Sequence, residues 1–340
     1  MKQVIMVLLL FGLIGCRQER TVKLLQLNVW QEGTSVAGGY EALADELAAV
    51  DADFVMLSEV RNYKGTRFCD RIVESLKERG KTYYSFYSYD SGLLSKYPIT
   101  DSVTIFPENG DHGSIYKLVA DMAGRDVAVY TAHLDYQNCS YYMVRGYCST
   151  TWDKLAGPVT DVDTLLYDNT VSQRDDAIRL FIEDASKEVA KGNLVFLGGD
   201  FNEPSFLDWV EATRDSADHH GVVIPWTVTK LLDEGGYKDV YRVMYPDPVT
   251  HPGYTYPGDC KGAEISRLSW APESDERERI DYIFYYPQPG MQLEDVKIHG
   301  PRGSIRYAER VEETGADQFV EPLGIWPTDH KGVIATFKLK

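Results

Sequence analysis

Basic charge is in short supply: 35 lysines and arginines face 52 aspartates and glutamates, a formal net charge of −17. Proteins draw much of their affinity for nucleic acid polymers from cations that neutralise successive phosphates, so this balance argues against broad electrostatic capture of nucleic acid. It does not exclude a nuclease, because a bound metal can reverse the field locally. Cysteine is also scarce. The five cysteines show no paired Cys-x-x-Cys spacing, which argues against a structural zinc. No Pro/Gly/Ser-rich linker, low-complexity tract or internal repeat divides the chain, so a single domain is expected. A comfortable membrane span takes about 20 apolar residues, and the apolar run at residues 4–14 is too short for one.

That short run has its own meaning. Lys2 precedes it, and Leu13-Ile14-Gly15-Cys16 closes it in the manner of a lipobox, where a bacterial lipoprotein signal is cut and the cysteine acylated. The expected division is a signal peptide at residues 1–15, a tether at 16–21 and a folded domain at 22–340. Such a protein is exported and held by lipid at Cys16 in the bacterial cell envelope, on the periplasmic or the cell-surface face. Four cysteines remain beyond Cys16: Cys69, Cys139, Cys148 and Cys260. An exported chain permits disulfides, and Cys139 and Cys148 lie close enough to staple one loop, so they are expected to be joined.

Residues 22–30 and 53–60 are compact apolar runs suited to buried strands, each followed by helical spacing: Leu43, Leu47 and Val50 in the first case, Ile72 and Leu76 in the second. Short strands are then expected at residues 83–89, 92–95, 102–106, 115–121 and 126–133. A helix over 172–191 leads to a strand at 193–197, after which Gly198-Gly199 is expected to turn the chain sharply into Asp200. Strands at 280–286 and 333–339 complete the series. Polar residues recur at the strand ends, namely Asn28, Glu59, His133, Asp200, Asp281 and the pair Asp329-His330, and strand ends are where α/β scaffolds carry their chemistry.

Singly these residues are weak signals, since any of them could cap a turn or satisfy a core. Together, the stretches LNVW, LSEV, YTAHLDY, GGDFNEP, RIDYIF and PTDHKGV follow one another in this order. The series resembles the endonuclease/exonuclease/phosphatase superfamily, which includes pancreatic deoxyribonuclease, apurinic endonucleases, bacterial sphingomyelinases and inositol polyphosphate phosphatases. GLLSKYPI, at residues 92–99, matches a strand segment of the same superfamily. The resemblance covers residue 22 to the C-terminus and implies a four-layer α/β sandwich, with two packed mixed β-sheets flanked by helices.

It also implies a set of roles. A phosphoester is attacked in line by water, negative charge grows on the phosphoryl oxygens and an alkoxide leaves. Mg²⁺, for which Mn²⁺ can substitute, is a hard cation suited to carboxylate and amide oxygens. Glu59 is the principal ligand, and the resemblance adds Asn28 and Asp329 as ligands or as partners of metal-bound water. Asp200 matches the aspartate that orients or deprotonates the attacking water, and Asn202 donates to the phosphoryl group from the same face of an extended turn. His330 matches a phosphate-contacting histidine whose other ring nitrogen bonds Asp281; in some members that pair is the base, so Asp200 and His330 both stand as candidates. His133 occupies a position held by tyrosine in apurinic endonucleases, and would bind phosphate or protonate the leaving group. Asp135 is read as a loop anchor.

Substrate choice is expected in the long insertion at residues 136–170, rich in aromatics with Arg145 and Lys154, and in the rim candidate HPGYTYPG at 251–258. The reading is a phosphodiesterase acting outside the cytoplasm on a small phosphorylated molecule, a glycan, a sugar or inositol phosphate or a lipid-borne phosphoester. A phosphomonoesterase, a secreted nuclease and a catalytically inactive surface binding protein are the alternatives. Should Arg145, Lys154, Arg174 and Arg179 gather on one face, the nuclease gains a basic track.

Overall fold

The computed structural model describes residues 19–107, 113–122 and 124–340. The apolar leader and Cys16 lie outside these residues. Among them the strands are β1 (Arg20–Asn28), β2 (Phe54–Ser58), β3 (Tyr84–Ser85), β4 (Gly92–Ser95), β5 (Ile99–Phe106), β6 (Gly113–Asp121), β7 (Asp126–Leu134) and β8 (Leu194–Asp200). They continue with β9 (Lys238–Asp239), β10 (Asp281–Tyr285), β11 (Met291–His299), β12 (Gly303–Arg306), β13 (Glu309–Glu312), β14 (Phe319–Val320) and β15 (Gly332–Leu339). The helices are α1 (Gly39–Val50), α2 (Phe68–Glu78), α3 (Tyr141–Val144), α4 (Val162–Asn169), α5 (Arg174–Lys191), α6 (Thr227–Glu234) and α7 (Val240–Met244).

Two mixed sheets follow, ordered β14-β11-β15-β1-β2-β4-β3 and β5-β6-β7-β8-β10-β9, with β12 and β13 as a separate hairpin. The apolar runs are continuous because their strands are buried on both faces. In β1, Val22 and Leu24 point between the sheets while Leu25 and Leu27 meet α1 and α2; in β2, Phe54 and Met56 point inward and Val55 and Leu57 outward. The second sheet mirrors this. Val127, Val129, Leu194 and Phe196 fill the space between sheets, and Ala128, Tyr130, Val195 and Leu197 meet Ile178, Phe181 and Leu232 of α5 and α6. Each large apolar side chain so buried contributes about 1.5–3 kcal/mol relative to exposure, which orders helix, sheet, sheet and helix into four layers.

The filling between the sheets changes character along the strands. Towards the C-terminal ends of β1, β2, β7 and β8 it becomes polar: Ser58 Oγ donates to Ala132 O at 2.9 Å, Asp200 N to Ser58 Oγ at 3.2 Å, and Gln26 Nε2 to Asp281 Oδ1 at 2.9 Å. Buried polar groups persist only where they find partners, and here each sheet supplies partners to the other.

Several local expectations change. The stretch at residues 83–89 pairs only through Tyr84 and Ser85, and β11 forms where the charged sequence MQLEDVKIH masks an alternating pattern. Cys139 and Cys148 are free thiols. Cys139 Sγ donates inward to Tyr136 O at 3.1 Å and Asn202 O at 3.4 Å, whereas Cys148 Sγ lies 3.4 Å from Thr150 Oγ1, so each sulfur is engaged away from the other. Gly198 and Gly199 make no turn: both sit inside β8. A Cβ on Gly199 would lie 2.1 Å from Ala132 O, and one on Gly198 would lie 2.6 Å from Met56 Sδ. The glycines permit close approach of backbone and neighbour rather than a bend.

The two clashes differ in kind, one against fixed backbone and one against a flexible side chain. Gly199→Ala should therefore cost roughly 1–3 kcal/mol or more, and Gly198→Ala less, in chemical denaturation. Equal stability of Gly199→Ala and the native chain would overturn the close-approach account.

Candidate active site

One row of residue pairs runs across the second sheet at its polar end: His133 is paired with Asp200, and Asp200 with Asp281. The first sheet faces this row with Gln26 and Asn28 of β1, Glu59 just after β2, and Asp329-His330 just before β15. Because β10 and β15 run antiparallel to β8 and β1, their beginnings meet the others' ends, and residues far apart in sequence reach one place.

His330 is the link between the sheets. Its Nδ1 lies 2.9 Å from Asp281 Oδ2 and its Nε2 3.7 Å from Asp200 Oδ2. Burial works against the imidazolium, but the carboxylates of Asp281 and Asp200 outweigh it and hold the ring up at about 10. Asp200 is raised by burial, an effect that the positive His330 opposes. Asn28 Nδ2 donates to Asp200 Oδ2 at 2.9 Å and Glu59 Oε1 at 3.1 Å, while its Oδ1 accepts from Trp30 N at 2.9 Å. Two acceptors on one side and a donor on the other fix the orientation of this amide. Glu59 is held at φ 61°, an uncommon conformation outside glycine that turns its side chain off the end of the sheet.

The expected alternation of Asp200 and Asn202 takes another form. Asn202 lies at φ 50°, and its N–H donates to Asp200 Oδ1 at 2.9 Å, which closes an Asx turn instead of extending the chain. Its Nδ2 donates to Leu134 O at 2.9 Å. Asp135 is the loop anchor, accepting from Gln137 N at 2.9 Å and Gln173 N at 3.3 Å.

His133 has a partner that the motifs do not reveal: its Nδ1 is hydrogen-bonded to Asp90 Oδ2. Burial again opposes the charge, and Asp90, Asp200 and Glu59 overcome it, raising the histidine to about 10. Asp90 falls between the two strands expected at 83–89 and 92–95 and belongs to no recognised stretch, so only its acidic character next to GLLS could have marked it.

Glu59, Asp90, His133, Asp200, Asn202, Asp329 and His330 line a single cavity of about 320 Å³, and Asn28 and Asp281 hold its walls from behind. Two groupings within it could attract a cation. Asp200, Asp281 and His330 bring ligand atoms within 4.8 Å of one another, but that cluster is already an imidazolium between two carboxylates. Glu59 and Asp329 suit a metal better. Burial raises Asp329 to about 7, His330 relieving it only in part and the like charge of Glu59 adding to it, so the pair offers hard oxygen donors whose charge is incompletely compensated.

The insertion is structured rather than open. α3, α4 and the turn between them bury Tyr141, Tyr142, Val144 and Leu165 against Trp209 and Trp226. Arg145 is a strut, with Nη2 2.6 Å from Glu278 Oε1 and Nε donating to Asp275 O at 2.7 Å. Arg174 is buried on the carbonyls of Asp135, Gln137 and Asn138. Lys154 pairs with Glu273 and Arg179 with Asp175, so these four cations form no shared track. Of the rim segment at 251–258, Tyr256 lines the cavity, its ring 4.8 Å from that of His330.

A model of the Endonuclease/Exonuclease/phosphatase family matches residues 25–330. The uncharacterized protein F14F9.5 of Caenorhabditis elegans is 24% identical over 271 residues, 78% of each chain. Among solved structures, D. rerio TDP2 complexed with a single-strand DNA product is 17% identical with a TM-score of 0.52, covering 93% of this chain and 98% of its own. The human Nocturnin catalytic domain with bound sulfate is 13% identical with a TM-score of 0.52, covering 94% and 95%. At these identities the two structures are likenesses of fold.

The Asp90–His133 pair has a pH signature. A folded value near 10 against the ordinary 6.5 means that the charged ring stabilises the fold fully below about 6.5, and that this contribution is lost as pH rises through 10. In protein stripped of divalent metal, ring ¹⁵N shifts should show His133 protonated at neutral pH, and Asp90→Asn should lower its pKa. A native His133 titrating near 6.5 would contradict the pairing.

Proposed function

Because the chain belongs to the endonuclease/exonuclease/phosphatase family, whose members hydrolyse phosphoesters, we propose that it is a Mg²⁺-dependent phosphodiesterase acting outside the cytoplasm on a small, sugar, inositol or lipid-borne phosphoester. The observation that carries the reading is His330, held between Asp281 and Asp200 in the wall of a cavity that also presents Glu59 and Asp329. Glu59 and Asp329 would hold Mg²⁺, or Mn²⁺ in its place, with Asn28 orienting the Glu59 carboxylate. The bound cation supplies charge stabilisation to the phosphoryl group and the leaving oxygen.

The chain's own groups divide the remaining work. His330, kept charged by two carboxylates, has no lone pair free for a proton and acts as a donor to the phosphoryl oxygens. Asp200 is then the base that orients and deprotonates the attacking water, while Asn28 keeps its Oδ2 in place. Asn202 donates to the phosphoryl group. His133, charged beside Asp90, is the acid that protonates the leaving oxygen. A cavity of about 320 Å³ reaching beyond the catalytic row leaves room for a second ester group, which favours a diester over a monoester.

Nucleic acid is not set aside. D. rerio TDP2 has been solved with a single-strand DNA product, and a strand end needs only one phosphate at the metal. The extended basic track that duplex binding draws upon has no counterpart in Arg145, Lys154, Arg174 and Arg179, each of which is already engaged. Residues 22–340 are read as the catalytic domain, with export and a lipid anchor at Cys16 as its setting.

Glu59→Gln and Asp200→Asn should each lower turnover more than about a hundredfold. Bis-p-nitrophenyl phosphate, p-nitrophenyl phosphate, sphingomyelin and plasmid DNA make the first panel. Unaltered turnover of Glu59→Gln at limiting Mg²⁺ would refute its assignment. Cys16→Ala should leave the membrane fraction when cells are fractionated, and its full retention there would refute the anchor.

A further inference from the structure

One wall of the cavity does not take part in that chemistry. Tyr136, Trp152 and Trp270 line it, drawn from two segments over a hundred residues apart. The Trp152 ring lies 4.8 Å from Trp270 and 6.2 Å from Tyr136, nearly parallel to the latter at 8°. Aromatic rings that only fill a core spend both faces on packing. Here Trp270 remains 50% exposed and Tyr136 37% exposed at the mouth of the cavity.

The wall is braced before any ligand arrives. The buried carboxylate of Glu276 accepts from the backbone N–H groups of Trp270 and Ala271, each at 3.0 Å, and from Tyr142 Oη at 3.3 Å. Tyr142 in turn sets its ring edge-on to Trp152 at 6.3 Å. Tyr136 is tied to the catalytic row, because Cys139 Sγ donates to both Tyr136 O and Asn202 O. The platform and the phosphate site are therefore parts of one rigid frame, and a ring bound on the first is presented to the second at little entropic cost.

Its chemistry is selective. Around the wall most hydrogen-bonding groups are taken: Tyr142 Oη and the backbone N–H of Trp270 by Glu276, Lys154 by Glu273, and Tyr147 Oη by Glu273 N, with the buried indole N–H of Trp152 left as an unpaired donor. A polyol placed there would leave most hydroxyls unpaired, whereas a flat ring needs only a face. We propose, on the phosphodiesterase reading, that Tyr136, Trp152 and Trp270 form a stacking platform for a flat unsaturated ring on the substrate's ester group, an aryl ring or an unpaired nucleobase, in preference to glycerol, inositol or sugar esters.

Arg61 sets the size of that substrate. Its guanidinium makes no ion pair or hydrogen bond among the described residues, and it is the one lysine or arginine in a lining that also holds Glu59, Asp90, Asp200 and Asp329. One such cation can meet a single further anionic group but not a run of phosphates.

Calorimetric titration of the native protein with Mg²⁺ tests the platform through three ligands: thymidine 5′-phosphate, glycerol 3-phosphate and a short single-stranded oligothymidylate. Thymidine 5′-phosphate should bind at least about tenfold more tightly than glycerol 3-phosphate. Trp270→Ala should erase that ratio and Trp270→Phe should keep it, with Tyr136→Ser as the second probe should Trp270→Ala fail to fold. Ring-dependent binding of the oligonucleotide would assign the ring to a strand, and its confinement to thymidine 5′-phosphate would assign it to a small molecule. A ratio near one, or a ratio that neither variant changes, overturns the proposal. Thymidine alone separates this idea from the parent reading: quenching of tryptophan fluorescence that Trp270→Ala abolishes supports the platform even if no phosphoester is turned over, and absence of quenching counts against the platform alone.

Discussion

A charged imidazole buried between two carboxylates from the facing sheet is the bond on which the polar end of this molecule depends. Asp200 and Asp281 stand in one register row, out of water, where unpaired ions would cost several kcal/mol each. The compensation comes across the gap between sheets, from His330, Asn28 and Gln26. The contacts that hold the two sheets in register at this end are thus the contacts that shape the cavity. Folding and site assembly cannot be separated there, in contrast to the opposite end, where Phe196 and Phe337 meet through apolar packing alone.

What could be read in the sequence follows from where each signal resides. Buried strands declare themselves because both faces are apolar, and the residues at their ends are recognisable since each sits in a short run of fixed spacing, as in GGDFNE and TDH. Asp90 had neither advantage. It lies in a loop after a two-residue strand, and its meaning comes only from a histidine 43 positions away. Trp270 was equally silent, a lone aromatic in a polar stretch whose partners come from the insertion. The cysteine pair misled for the opposite reason, since nearness in sequence says nothing about the direction of a side chain, and Cys139 points towards Asn202. Gly198-Gly199 showed that something there needed glycine, but not that the need was a carbonyl so close that a Cβ would overlap it.

The charged residues of the insertion carry a related lesson. Composition invites Arg145 and Arg174 to be taken as cations awaiting phosphate, yet both are interior struts whose guanidinium groups collect backbone carbonyls that would otherwise be orphaned. A segment that reads as a loop is rigid because arginine replaces the hydrogen bonds that regular structure would have provided. That rigidity lets exposed aromatic rings keep one orientation at the mouth.

The direction of β1 has an effect at larger scale. The strand enters at Arg20, paired with Leu339 at the far edge, and delivers Asn28 to the cavity eight residues later, a rise of roughly 26 Å. Arg20 consequently stands at the pole opposite the opening. A surface facing the domain at that pole would meet the molecule's back, with the cavity turned outward into the surrounding fluid.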